Sequence, residues 1–173
     1  MTISTIDQDC FKAVRTYLLS LAPVGAEVVQ GQDNQVAMPK GNFAVMTSLQ
    51  MIRLATNVTT YQPNAGTGQK SVETAFRYMF QLDIYGPDAQ PWAAQASALW
   101  RDEYATDQMP ANIQPLYADD PSQMVLVNAE DQYEQRWRVQ AALQYNPVST
   151  LGQDFANSLS ATIKSVDAFY PPN

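Results

Sequence analysis

"FRYMFQLDIYGPDAQPWAAQASALW", Phe76–Trp100, changes its period halfway along. In the first half Phe76, Tyr78, Phe80, Leu82 and Ile84 alternate with Arg77, Gln81 and Asp83. Side chains of a strand point to opposite faces in turn, so this is a strand with an apolar side and a polar side. After Gly86-Pro87-Asp88 the apolar spacing lengthens, and Trp92, Ala96, Leu99 and Trp100 fall on one stripe of a helix. Asp88 is placed to cap that helix, and Pro91 sits in its first turn, where a missing N–H costs little. Strand–turn–helix junctions often cradle ligands. This one lacks the glycine pattern of a dinucleotide site and has no nucleophile at the turn, so it reads as a scaffold corner.

Upstream, Phe11, Val14, Leu18 and Leu21 keep a three-and-four spacing. They predict an amphipathic helix started by Asp7 or Asp9 and stopped by Pro23 and Gly25. "AEVVQGQDNQ" follows as a short strand, and "MPKGNFAVMTSLQMIRLATNVTTY" as a long extended segment. The polar loop "QPNAGTGQKS" then joins two extended runs, which makes Arg53–Ser71 a projecting β-arm with Tyr61 near its end. Its "GQKS" lacks the glycine spacing of a phosphate-binding loop, so a hairpin tip is the simpler reading.

Downstream, 106–130 carries several prolines and reads as a long irregular connection, with "MVLVN" as a short strand inside it. Connections of that length are commonly functional or interfacial. Alternation returns in "QYEQRWRVQAALQYNP", with Trp137, Val139, Ala141, Leu143 and Tyr145 inward and Arg136, Arg138, Gln140 and Gln144 outward. "TLGQDFANSLSA" predicts a short helix and "TIKSVDAFYPP" a last strand. Helices and strands do not alternate strictly, which favours α+β: a mostly antiparallel sheet, helices on one face and a long β-arm. With neither repeat nor linker, the 173 residues are expected to form one domain, 1–173, with Trp92, Leu99, Trp100, Trp137 and Leu143 in its core.

The composition closes several chemical routes. There is no histidine, so the commonest acid–base group and metal ligand are both absent, and no Ser-His or Cys-His nucleophile can be built. A single cysteine, Cys10, allows no internal disulfide and supports no structural zinc site. The acidic pair Asp119-Asp120 has no further acidic ligand at calcium-loop spacing and reads as a surface loop. No catalytic, cofactor-binding or metal residue is therefore assigned. A net charge of −7 disfavours tight DNA binding by charge neutralisation, yet suits a surface that DNA must slide past. No apolar run is long enough to cross a bilayer, and the opening "MTISTIDQDC" has no export signal, so assembly in a cytoplasm is expected.

Five blocks carry a family likeness: "VVQGQDNQVAMPKGNFAVMT", "LDIYGPDAQPWAAQASALWRDEY", "PLYADDPSQM", "EDQYEQRWRVQAALQYNP" and "SVDAFYPP". In this order they resemble the neck or tail terminator proteins of tailed phages and prophages. The resemblance implies a structural virion protein that forms a hexameric ring at the head-proximal end of the tail tube. Such a ring stops tube polymerisation and docks the head-completion or connector protein. In contractile tails it also meets the last sheath ring, and DNA passes through its lumen without specific binding. No cofactor or catalytic residue comes with the likeness. Tyr61, Tyr117, Asp119 and Asp120 are the expected interface residues. Another neck or tube-initiating component, or a small carboxylate enzyme using Asp119 and Asp120, are the alternative readings.

Overall fold

The computed structural model describes residues 6–31, 39–64, 68–127, 133–156 and 160–162. Its elements, in chain order, are α1 (Ile6–Ser20), β1 (Glu27–Gln30), β2 (Phe43–Arg53), β3 (Val58–Gln62), β4 (Gln69–Glu73), β5 (Phe76–Tyr85), α2 (Ala89–Trp100), α3 (Glu103–Asp107), β6 (Ile113–Ala118), β7 (Ser122–Val127), β8 (Tyr133–Tyr145) and β9 (Val148–Gly152). They form a six-stranded sheet, in which β1-β2-β5-β8-β6 are neighbours and β7 also pairs with β8, and a three-stranded sheet ordered β3-β4-β9. Every pairing is antiparallel except β1 with β2. The fold is α+β, as expected from the lack of strict alternation between helices and strands.

The apolar face of β5 is the floor of the core. Tyr78, Phe80, Leu82 and Ile84 are buried there beside Val139, Ala141, Leu143 and Tyr145 of β8. Two helices stack above them. The Trp100 ring of α2 lies edge-on to Phe80 of the sheet, with centroids 5.5 Å apart, and edge-on to Tyr17 of α1, at 5.2 Å. Such edge-to-face pairs add about 0.5–1.5 kcal/mol each beyond the area they bury. The polar tips are satisfied within the stack. Trp100 donates its indole N–H to the Ala142 carbonyl at 3.2 Å, Trp92 to that of Leu18 at 3.3 Å, and the Tyr17 hydroxyl donates to that of Ala96 at 2.7 Å.

The corner after β5 is held by a side chain from elsewhere. Gly86 has φ +109°, and a Cβ there would meet the Gly41 carbonyl at 2.7 Å. The Asn42 amide donates to the Asp88 carboxylate at 2.8 Å, and the Asp88 N–H donates to the Asn42 carbonyl oxygen at 3.1 Å. Asp88 occupies the N-cap position but makes no side-chain cap bond, because its carboxylate is committed to Asn42. Asp7 and Asp9 likewise lie within the first turn of α1 and tie it to the sheet. Asp7 accepts from Gln30, Ser48 and Tyr78, and Asp9 from Tyr145 at 2.9 Å.

Two expectations about elements are corrected. The irregular 106–130 region contains β6 as well as β7, which takes in Met124–Val127 of the expected "MVLVN" strand, and the two run in the same direction along one edge of β8 as a single broken strand. The helix expected from Thr150 to Ala161 is replaced over its first residues by β9, and no helix is formed by 153–156. Val148 and Thr150 favour extended backbone, and β4 offers a free edge that gives the N–H and C=O groups of β9 partners. The expected last strand, beyond Thr162, lies outside the described residues. Trp92, Trp100 and Leu143 are buried as expected, whereas Leu99 and Trp137 are partly buried at the margin of the core.

Candidate assembly surfaces

The small sheet is the arm, and it grows out of the large one. Phe76 faces Tyr145 in the body, and Glu73 faces Val148 three residues further along each strand, so β4–β9 keeps the register of β5–β8. All three strands break at the same level. The Leu54 N–H donates to the Ala75 carbonyl at 2.9 Å, and the Thr74 N–H to the Pro147 carbonyl at 3.2 Å. The Thr74 hydroxyl donates to the Asn57 side chain at 3.0 Å. Pro147, having no N–H, marks the break in the third strand. The arm expected from Arg53 to Ser71 is thus a three-stranded extension, and the strand missed in the sequence is β9.

Little of the arm is buried. Every residue of β3 and β9 is exposed, including Val58 at 62%, Tyr61 at 51% and Val148 at 57%. Tyr61 shares a face with Lys70 and Leu151 through the ladder. The Lys70 ammonium lies 5.8 Å from the Tyr61 ring centroid, and Phe155 meets that ring edge-on at 6.1 Å. Phe155 reaches this position because Gly68 has no side chain: a Cβ there would overlap its ring. Phe155 was not singled out in the sequence, where it falls within the expected helix.

Tyr117, Asp119 and Asp120 lie together on the opposite margin, along β6 and the turn that follows it. The β6 register with β8 shifts between Pro115 and Tyr117. A second shift separates Ala118↔Ala141 from Ser122↔Arg138, with Asp119, Asp120 and Pro121 between. Pro121 cannot donate to a ladder, which is why the broken strand bulges there. Tyr117 is 38% exposed, and its hydroxyl lies 3.9 Å from the Met79 sulfur on the sheet face away from the helices. Asp119 and Asp120 line a 130 Å³ hollow with Ser122, Arg138 and Gln140. The Asp120 carboxylate is 4.0 Å from the Arg101 guanidinium, and both side chains are largely exposed. The turn itself is anchored through backbone: Ser97 donates to the Asp119 carbonyl at 2.7 Å, and Arg101 to that of Ala118 at 3.1 Å. Tyr61 belongs to the other sheet, so the four residues form two groups.

The same polar sheet face hides a charge that alternation alone placed outside. Asp83 is 4% exposed and accepts from Arg136 at 3.0 Å and Gln81 at 2.7 Å. Arg136 also lies over the Tyr85 ring, at 5.7 Å from its centroid. Burial, with the nearby Asp7 and Asp9 charges adding, pushes the Cys10 thiol up to about 12. Burial also raises the Tyr17 and Tyr78 hydroxyls. These groups are all neutral at physiological pH, and among the described residues no three carboxylates or thiols gather into a metal-binding group.

The described residues form an α+β body with a projecting three-stranded sheet. A sequence profile described as phage neck terminator protein matches residues 8–168, and the chain belongs to that family. Among solved structures the chain is similar to the sheath/tube terminator of an extracellular contractile injection system, PVC, in its extended state. The identity is 10% and the TM-score 0.53, over 98% of this chain and 67% of that one, so this likeness concerns the fold. No curated protein matches the sequence.

Proposed function

We propose that copies of this chain, each acting as one unit over 1–173, close into a hexameric ring on the head-proximal end of a phage tail tube. The ring ends tube growth by covering edges that would otherwise recruit another tube layer, and it presents its far side to the head connector. Where the tail contracts, it also meets the last sheath ring. The role is mechanical, and no catalysis is assigned. The observation that carries this reading, given the family, is the arm: a sheet extending from a packed body with both outer strands exposed and apolar side chains on them. The net charge of −7 favours passage of DNA through the lumen without capture. Tyr61 on the arm and Tyr117, Asp119 and Asp120 on the β6 margin are the proposed contact residues.

Immunogold labelling of purified tails is the direct test, with the expected label confined to the head-proximal end. Label along the shaft or at the distal tip overturns the reading. Mass measurement of the purified chain, alone and with its tail tubes, gives the stoichiometry.

A further inference from the structure

The two margins of this molecule treat an approaching strand in opposite ways. The outer edge of the body, β6–β7, carries Pro115 and Pro121, two register shifts and the charges of Asp119 and Asp120. Prolines, bulges and charges are the devices by which natural edge strands refuse partners. The arm has none of them on either side. β3 is "VTTYQ" and β9 is "VSTLG", with neither proline nor charge, and each pairs with β4 over its full length without a register shift.

Among the described residues no strand pairs with the outer side of β3 or of β9, and these two edges also match each other. Both are five residues long, both span the same residues of β4, and both are antiparallel to it. They therefore run in the same direction, at the same level. We propose that the β3 edge of one copy pairs in parallel with the β9 edge of the next, joining neighbouring arms into one continuous sheet. The occupant of each edge is a second copy of this chain. A rotation that sets one arm beside another lays five residues against five and uses both edges, whereas an unrelated strand would satisfy one edge and leave the other open. Contacts between two different patches are heterologous and close when the rotation closes, which is the symmetry a ring needs. The inference rests on the ring reading and adds the contact that closes it.

Cysteine pairs test it in the full chain. Thr60 and Thr150 flank Ser71 on one face of the arm. They stand two strand spacings apart, about 10 Å, which is beyond disulfide reach within one subunit. Cys10 is buried and does not compete. T60C/T150C, and T60C/V148C for a two-residue stagger, are oxidised both in solution and on isolated tail tubes. The expected result is a reducible ladder of covalent oligomers in one of the two variants. An oligomer of ring mass that cross-links in neither variant overturns the edge pairing and leaves the ring reading standing. A chain that stays monomeric in solution and on tubes overturns both. Amide exchange in monomeric protein gives a further check: protection of Val148–Gly152 equal to that of β4 shows the edge already paired within the subunit, and overturns the proposal.

Discussion

The body and the arm are continuous in hydrogen bonding and differ in almost everything else. The ladder of β5–β8 passes into β4–β9 without a change of register. In the body that ladder lies under two helices, and Phe80, Leu82, Ile84 and Leu143 are all but inaccessible. Beyond Thr74 and Pro147 no helix among the described residues covers the sheet, and the side chains of the outer strands face solvent. A sheet without cover gains backbone hydrogen bonds but little hydrophobic stabilisation, so the arm's stability depends on what it meets. The body should thus unfold as a unit set by its core, and the arm should respond to its partners.

The strongest way to break that distinction is at the centre of the body. Trp100→Ala removes a buried ring that touches both α1 and the sheet, and should cost about 3–5 kcal/mol in urea unfolding. Trp137→Ala, at the core margin, should cost about 1–2 kcal/mol. If the two variants unfold alike, the assignment of the core is wrong.

Asp83→Ala comes next. It strips Arg136 and Gln81 of a buried acceptor, and a loss of about 2–3 kcal/mol is expected from hydrogen bonds to a charged group. An unchanged denaturation midpoint would mean that Arg136 finds other partners at no cost.

Alkali separates the regions by chemistry. The Cys10 thiol ionises near its ordinary 9.0 when exposed in the unfolded chain, but only near about 12 when buried in the fold. Between those values the unfolded state has lost a proton that the folded state keeps. The stabilisation is therefore complete below pH 9 and disappears as pH rises towards 12, with the raised Tyr17 and Tyr78 hydroxyls acting in the same sense. Urea midpoints taken at rising pH should fall across that range. Cys10 should also resist alkylation at pH 8 until denaturant is added, and rapid modification of the native protein would contradict its burial.

The smallest effects on stability belong to the margins. Asp119→Ala should change unfolding by less than about 0.5 kcal/mol, since its side chain is exposed and its anchoring bonds are made by backbone. Tyr61→Ala loses the contacts with Lys70 and Phe155, about 1 kcal/mol or less confined to the arm. Assembly on tail tubes, read by sedimentation, should weaken in Tyr61→Ala while the body's melting point stays in place. A melting point that falls with Tyr61 would show that the arm and body unfold together.

Periodicity and breakers in the sequence determined α1, the alternation of β5 and β8, the corner at Gly86 and the stripe of α2. Each rests on contacts within one turn or one strand, and residue type reports those directly. Asn42 answering Asp88, Arg136 closing over Asp83, β6 and β7 sharing one edge of β8, and β9 completing the arm were decided only by tertiary structure. In every one of these cases the deciding partner is distant in sequence or supplied by the free edge of another strand. A backbone group takes whichever partner is within reach once the chain has folded, and spacing along the chain does not record that.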